Sequence, residues 1–368
     1  MDFRDILENN KQPNDMAVIE WLKVSALPVV MYGASPDVAD QIVKKLLLNY
    51  ITVSFVVYDE DCQIMTASTG YLKNTQTLQV KDIDSKIPAY NVIIGFVKGY
   101  MNIDVIYPKF RHAKSVVYLS EIFDMEIISV SFVEENSVFL EDFYNNLQDQ
   151  KSKDAFTAYL LSKVRQDMKY LPPFFEKVQY FPQGIFELTD HESYFDCGAF
   201  TGDTIASFLK ATGGLYHHIW AVEPDRLNYK QLIQYISDEK LSNIDIVNKG
   251  IYSRKGKLPF YESGSMLSMI ADDSDKYIEI DTIDHIADGN PVSYIKMDVE
   301  GVELEALKGA EQTIREYKPV LGISIYHKQQ DLIDIPTYIK KIAPEYKFYF
   351  RVHKKLAIDA VLYAIVNG

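Results

Sequence analysis

Two short stretches place polar side chains where an α/β sheet would use them for binding. Residues 193–205, SYFDCGAFTGDTI, run from an apolar strand into Asp196 and a turn carrying Gly198, Ala199 and Gly202. A helix is predicted to begin there, near Asp203 and Thr204. Residues 220–225, WAVEPD, form a second apolar strand that ends in Glu223 and Pro224, twenty-seven residues after Asp196. Strand, acid, glycine turn, helix, strand and acid in that order suit an adenosine-type ligand lying across the carboxyl ends of parallel strands. Glycines let the backbone approach such a ligand, and a carboxylate on the next strand accepts ribose hydroxyls.

A second set of residues could handle protons. Asp298 ends the strand IKMD, Glu300 and Glu303 follow it, and His327 closes the strand LGISIYH. Adjacent strands would bring all four to one rim, where carboxylates and an imidazole can accept a proton or ligate a divalent, magnesium-like cation. No spacing fixes a metal site, so none is assigned from the sequence. A structural reading stands beside this one. Asp298 could cap a helix starting at Gly301, and Glu300 and Glu303 could favour the positive end of that helix. Lys296, in mid-strand, is expected to pack or pair. The other histidines, His112, His191, His217, His218, His285 and His353, are scattered; only His353, after the strand FRV, is a further candidate to line a pocket.

The elements that must position these residues follow from pattern and length. The chain has 368 residues, more than one typical core holds, so two domains are expected. A hydrophobic share of 47% with 24% charged residues is that of a globular protein. The net charge of −14 argues against a broad nucleic-acid or anionic-membrane footprint, which needs clustered Lys and Arg. Cys62 and Cys197 are the only cysteines and form no metal-binding spacing, which suits a reducing compartment. The polar, acidic start MDFRDILENNKQPND is unlike a signal peptide, and a cytoplasmic protein without membrane insertion is expected.

Residues 1–137 read as a smaller Rossmann-like α/β domain. PVVMYG (28–33) is a buried strand. Ser35 is a candidate N-cap ahead of Pro36, and residues 38–47 carry a helical apolar face. Further strands are expected at 52–58, 91–97 and 116–119. The turn GASPD has one glycine where a dinucleotide site would want three, so the domain reads as a fold without a dinucleotide. Its functional alternative is a substrate site at the Gly33–Ser35 helix start. Residues 138–177 are a helical connector stopped by Leu171-Pro172-Pro173.

Residues 178–368 alternate strands and helices. Strands are expected at 193–197, 218–223, 244–248, 293–298, 319–326, 346–352 and 360–366, and helices at 203–211, 226–237, 302–316 and 331–342. The last two strands are too close for a crossover and should pair antiparallel. The segment GSMLSM (264–269) reads as a lid or an edge loop. The 26 tyrosines and 19 phenylalanines are expected mainly in core and sheet packing.

The segments QYFPQGIFELTDHESYFDCGAFTGDT, AVEPD, YIKMDVEGVELEALKGAEQTI, ISIYHKQQDLIDIPTYI and DAVLYAIV, in this order, resemble the FkbM-type, S-adenosylmethionine-dependent methyltransferases. The resemblance covers about residues 178–366. It implies a Rossmann-like class I methyltransferase fold with a mostly parallel seven-stranded sheet. It also implies S-adenosylmethionine held by Asp196, Gly198, Ala199, Gly202, Asp203, Glu223, Pro224, Ile251 and Asp298. Phe200 departs from the small residue common in the family. With the resemblance, His327 becomes the expected general base in its neutral form, with Asp298 and Glu300 as its catalytic partners. The expected reaction is O-methylation of a small-molecule or carbohydrate acceptor, a sugar or glycan precursor or a secondary metabolite. Two other classes stay in view, a dinucleotide-dependent sugar-nucleotide enzyme and a non-catalytic nucleotide-binding protein. A divalent metal and homo-oligomerisation are left open.

Overall fold

The computed structural model describes residues 14–59, 70–95, 106–119, 128–264, 268–270, 274–353 and 359–366. They fall into two compact units. The first comprises Met1–Asn145, Lys153–Phe175 and Val352–Asp359, and the second Asn146–Ser152, Glu176–Arg351 and Ala360–Gly368.

The first unit is built on a five-stranded parallel sheet. Val29–Tyr32, buried along its whole length, sits between Val53–Tyr58 and Tyr90–Ile94, with Gln76–Gln79 and Ala113–Val117 outside them. Four consecutive apolar residues without alternation suit a strand covered on both faces. The helix Pro36–Leu47 packs Ile42 and Leu46 onto Met31, Val56 and Ile93 in one core. Ser35 occupies the N-cap position with extended backbone, but its side chain makes no capping bond. The expected strand 91–97 starts one residue earlier, and its last two residues lie outside the described ones, as do Cys62, Glu60 and Asp61. The strand expected at 116–119 spans Ala113–Val117 instead. Gln76–Gln79 carries too few apolar residues to be read as a strand.

The connector forms two helices, Ser137–Asn146 and Gln150–Arg165, rather than one run. Phe143 and Phe156 meet edge to face at 5.2 Å. Leu171, Pro172 and Pro173 lie in short 3-10 turns beyond the second helix.

The second unit carries the larger sheet. From one edge its strands are Ile244–Val247, His218–Val222, Ser193–Cys197, Tyr294–Met297, Val320–Ser324, Ala360–Ile365, Lys347–His353 and Phe175–Glu176. The first five run parallel, and Ala360–Ile365 runs antiparallel to Val320–Ser324. The seven expected strands are all present; the two-residue Phe175–Glu176 adds an eighth at the edge. Cys197, Met297 and Ile323 stand side by side, so the loops after three central strands open at one rim. The helix expected at 302–316 is broken into Glu303–Lys308 and Glu311–Tyr317 around Gly309, where a Cβ would strike the Tyr252 carbonyl.

One feature was not expected from the sequence. Residues Gly250–Ile251, Gly256–Tyr261, Met269–Ile270 and Tyr277–Asp281 form a separate four-stranded sheet. Ser263–Ser268 therefore connects two strands rather than crossing open space. Among the described residues no helix is long and apolar enough to cross a membrane.

Candidate active site

The strand Ser193–Cys197 delivers Asp196 to the sheet interior, where it is fully buried. Lys296, on the neighbouring strand, places Nζ 3.1 Å from its Oδ1, and Thr204 Oγ1 donates to its Oδ2. Lys296 also donates to the carbonyls of Cys197 (3.1 Å) and Gly198 (2.6 Å). Burial pushes the Asp196 carboxyl up, although Lys296 draws it back toward the ionised form. The Lys296 ammonium is held above its ordinary value, because Asp196 and Asp298 outweigh its own burial. Asp196 thus anchors the turn from beneath, in contact with Lys296 and Thr204.

Gly198, with φ +79°, brings the turn against the next loop. A Cβ there would lie 2.1 Å from the Asp298 carbonyl oxygen. Its amide and that of Ala199 both bond the Val222 carbonyl at 3.0 Å. Ala199 is buried, Gly202 starts the helix Asp203–Ala211 in the left-handed region, and Asp203 is exposed in its first turn. Close backbone packing, rather than open space, is what Gly198 and Gly202 serve most directly.

Glu223 sits where the turn and the next strand meet. Its Oε2 accepts from the Phe200 amide (3.0 Å) and its Oε1 from the Asp225 amide (2.9 Å). Each oxygen keeps a lone pair for a further donor. Only 5% exposed, the carboxyl is pushed by burial to a pKa of about 7. Phe200, the departure from the family pattern, takes a positive φ of 47° to deliver its amide. Pro224 follows at the partly exposed edge, and Asn248 bonds the carbonyls of Glu223 (2.8 Å) and Pro224 (3.1 Å). Asp225 caps the helix Arg226–Asp238 through Leu227 and Asn228, and its other oxygen holds Gly264 and Ser268. That clasp fastens both ends of the segment 264–268, whose residues 265–267 lie outside the described ones. Ile251 is buried in the small sheet.

The rim beyond Tyr294–Met297 is dense with charge. His327 Nε2 lies 3.3 Å from Glu300 Oε2 and 3.7 Å from Asp298 Oδ1, and His327 Nδ1 lies 2.9 Å from Glu303 Oε1. The structure therefore gathers Asp298, Glu300, Glu303 and His327, as the strand ends implied. Glu303 is fully buried and also accepts from the amides of Val299 (3.0 Å) and Gly301 (3.3 Å). Glu300 holds a left-handed backbone, φ +56°, and its side chain turns toward His327. A non-glycine residue in that region costs about 1 kcal/mol or more and is typical of sites where geometry matters more than stability.

The setting of His327 bears on its proton. Burial alone would lower its pKa, but Glu303, Glu300 and Asp298 outweigh burial and hold it well above the usual value. Burial likewise raises the Glu300 carboxyl, whereas Asp298 is held low because Lys296 and His327 outweigh burial.

Three partners of the rim went unnoticed in the sequence. Tyr180 OH donates to Asp298 Oδ2 (2.8 Å) and lies 3.0 Å from Ser324 Oγ, and Tyr326 OH donates to Asp298 Oδ1 (3.3 Å). Tyr326 adjoins His327 and could have been found by that adjacency; nothing local marks Tyr180 or Ser324. His353 is buried at a strand end, outside this cluster.

The family described as the methyltransferase FkbM domain matches residues 196–348, a stretch that contains every element just described from Asp196 to His327. Residues 196–348 are thus similar to the FkbM methyltransferase domain. A methyltransferase FkbM from Methylobacillus flagellatus KT shares the fold, with a TM-score of 0.67, 22% identity, and 98% of each chain covered. That likeness therefore takes in the first unit's sheet as well as the FkbM domain. An rRNA methylase from Streptococcus thermophilus (15% identity, 48% of this chain and 88% of that one, TM-score 0.33) is also similar. So is a putative methyltransferase from Streptococcus mutans in complex with SAH (8%, 49% and 91%, 0.32). No match to the chain is found among curated proteins.

Proposed function

We propose that the FkbM domain transfers a methyl group from S-adenosylmethionine to a hydroxyl of a small molecule or carbohydrate, such as a glycan precursor or a secondary metabolite, in the cytoplasm. The observation that carries this reading is the pairing of two features on one sheet edge. Glu223 is bonded into the glycine turn at the end of one strand, and the Asp298–Glu300–His327 rim stands at the end of another.

The residues fit the cofactor by donor chemistry. The Glu223 carboxylate has acceptor capacity left for two hydroxyls, and burial strengthens any bond made to it. Asp196, Gly198, Ala199, Gly202 and Asp203 shape the turn beside it, and Pro224 and Ile251 border the same strand end. Asp298 joins the turn to the rim through the close approach at Gly198. Bound S-adenosylmethionine supplies a methyl group on a positively charged sulfur. The chain's own task is to align an acceptor oxygen with that methyl and to take charge of the hydroxyl proton. Alignment contributes about 7–11 kcal/mol in favourable cases, and proton management about 10²–10⁴-fold. We assign the second task to Asp298, Glu300 and His327. A net charge of −14 disfavours polyanionic acceptors such as nucleic acid, which supports a small acceptor.

Calorimetric titration with S-adenosylhomocysteine, with NAD in parallel, tests the reading. Saturable binding of the former alone is expected, and it directs a screen of sugar and metabolite hydroxyls for methyl transfer. Binding of NAD alone, or of neither, removes the reading.

A further inference from the structure

The rim has a geometry that its own protons do not account for. Both ring nitrogens of His327 are buried, and neither is directed for a hydrogen bond, although carboxylate oxygens stand 2.9, 3.3 and 3.7 Å away. Oε2 of Glu303, fully buried behind the ring, has no hydrogen-bond partner at all. Three carboxylates face one imidazole, and burial raises the cost of that excess negative charge.

One ligand atom from each of Asp298, Glu300 and His327 lies within 4.8 Å of the others. Ligand atoms about 2.1 Å from a cation stand about 3.0 Å apart at octahedral angles and about 3.4 Å apart at tetrahedral ones. The observed 3.3 and 3.7 Å from Nε2 need only small adjustments to reach either. Behind the ring, Glu303 Oε1 stands 2.9 Å from Nδ1, off the line of a hydrogen bond but on the side from which a carboxylate can fix the tautomer of a metal-binding histidine and direct its other nitrogen outward. Glu303 is itself fixed by two backbone amides. Tyr180 holds the far oxygen of the Asp298 carboxylate, and Tyr326 donates to Oδ1 itself, which keeps a second lone pair.

We propose that Asp298, Glu300 and His327 form a binding site for a divalent cation of the manganese or zinc type, with Glu303 as the residue that positions His327. Two oxygens and one imidazole nitrogen suit such a metal better than the all-oxygen shell that magnesium or calcium favours. The side chains of Glu300 and Asp298 are 31% and 23% exposed, so remaining coordination positions open toward solvent. The inference rests on the methyl-transfer reading and deepens it. A cation at this place acidifies a hydroxyl brought against it, which is the proton management that the acceptor requires. The cationic sulfur of the methyl donor is a poorer occupant, because an imidazole nitrogen offers it nothing that a third carboxylate would not.

The test is titration of the full chain, stripped with a chelator, with manganese(II) chloride, read by the electron paramagnetic resonance of the free ion. One manganese per chain is expected, with affinity lowered at least tenfold in Glu300→Gln. In Glu303→Gln, which leaves the three ligands in place, a loss of about 10–100-fold is expected. Glu300 stands at the open side of the rim, so its variant avoids the risk to folding that replacing buried His327 carries. No saturable binding below millimolar manganese, or equal affinity in wild type and Glu300→Gln, overturns the site. S-adenosylhomocysteine titrated into the same metal-free chain separates the two claims. Its binding without manganese binding removes the metal site and leaves the methyltransferase reading. Manganese binding without it removes that reading and leaves the site.

Discussion

The two units place the same architecture on each side of a contrast in charge. In the first, Tyr32 ends the central strand, and Asp59 follows the strand beside it. Asp59 accepts from Tyr32 (3.0 Å) and from Lys109 (2.5 Å), and Lys109 also approaches the Tyr32 hydroxyl at 3.3 Å. Among these described residues, one acid meets one base with a phenol between them. In the second, the edge after the central strands holds three carboxylates around one imidazole. Both edges also use a glycine for close backbone approach. A Cβ at Gly95 would lie 2.2 Å from the Gly33 carbonyl oxygen, and one at Gly198 would lie 2.1 Å from that of Asp298. A wound parallel sheet with glycine-tightened loops is therefore common to both. Among the described residues the crowded carboxylates stand at the second unit's edge, and function follows the site rather than the fold.

That contrast can be broken most forcefully beneath the glycine turn. Lys296 is a buried cation at the second edge, paired with Asp196 at 3.1 Å. Lys296→Met leaves Asp196 buried without its partner and is expected to cost about 3–5 kcal/mol in urea unfolding. Adding Asp196→Leu should return most of that loss. A cost under about 1 kcal/mol for the single change would mean that the pair does not hold the turn.

Glu223 sharpens the comparison through pH. Its folded pKa of about 7 is raised from the ordinary value of 4.5, so the folded chain holds this proton more tightly than the unfolded one. The stability it contributes is fully present below about 4.5 and is lost as pH rises through about 7, on the order of 3 kcal/mol in all. Asp331, also raised to about 7 by burial and by Glu303, acts with the same sign. Glu223→Gln cannot titrate, so its stability should gain on that of the wild type across this window in parallel melts. A constant difference at every pH would remove the buried, proton-holding carboxyl from the account.

The same residue gives a smaller effect on binding. Glu223→Ala is expected to weaken S-adenosylhomocysteine at least tenfold, about 1.4 kcal/mol, by calorimetry on folded protein. Wild-type affinity in that variant would move the ribose contact elsewhere.

How much of this was legible in the sequence depends on how locally each feature is encoded. Ser193–Cys197, His218–Val222 and Tyr294–Met297 are short apolar runs that end at acids or turns, and they were found within about a residue. The four-stranded sheet was missed because two of its strands have two residues each and a third, GKLPFY, contains Pro259. Proline ordinarily demotes a run as a strand. At the site, strand ends brought Asp298, Glu300 and His327 together correctly. The upward pull on the His327 proton could not be read in advance, because it depends on three carboxylates crowding one ring, a matter of packing rather than spacing. Tyr180 lies 118 residues from Asp298, and no local pattern announces such a partner.

The gentlest test addresses the first unit's edge. Asp59→Asn removes the acid that satisfies Lys109 and Tyr32, whose side chains meet it at a half-buried position. With the Lys109 and Asp59 side chains 17% and 22% exposed, water can take over part of the lost pairing, and a cost of about 1 kcal/mol is expected in urea unfolding. Affinity for S-adenosylhomocysteine should not change, because the residues assigned to that ligand belong to the other unit's sheet. A clear fall in that affinity would overturn the assignment of that ligand to the second unit's residues alone, and with it the contrast between an edge that acts and an edge that only folds.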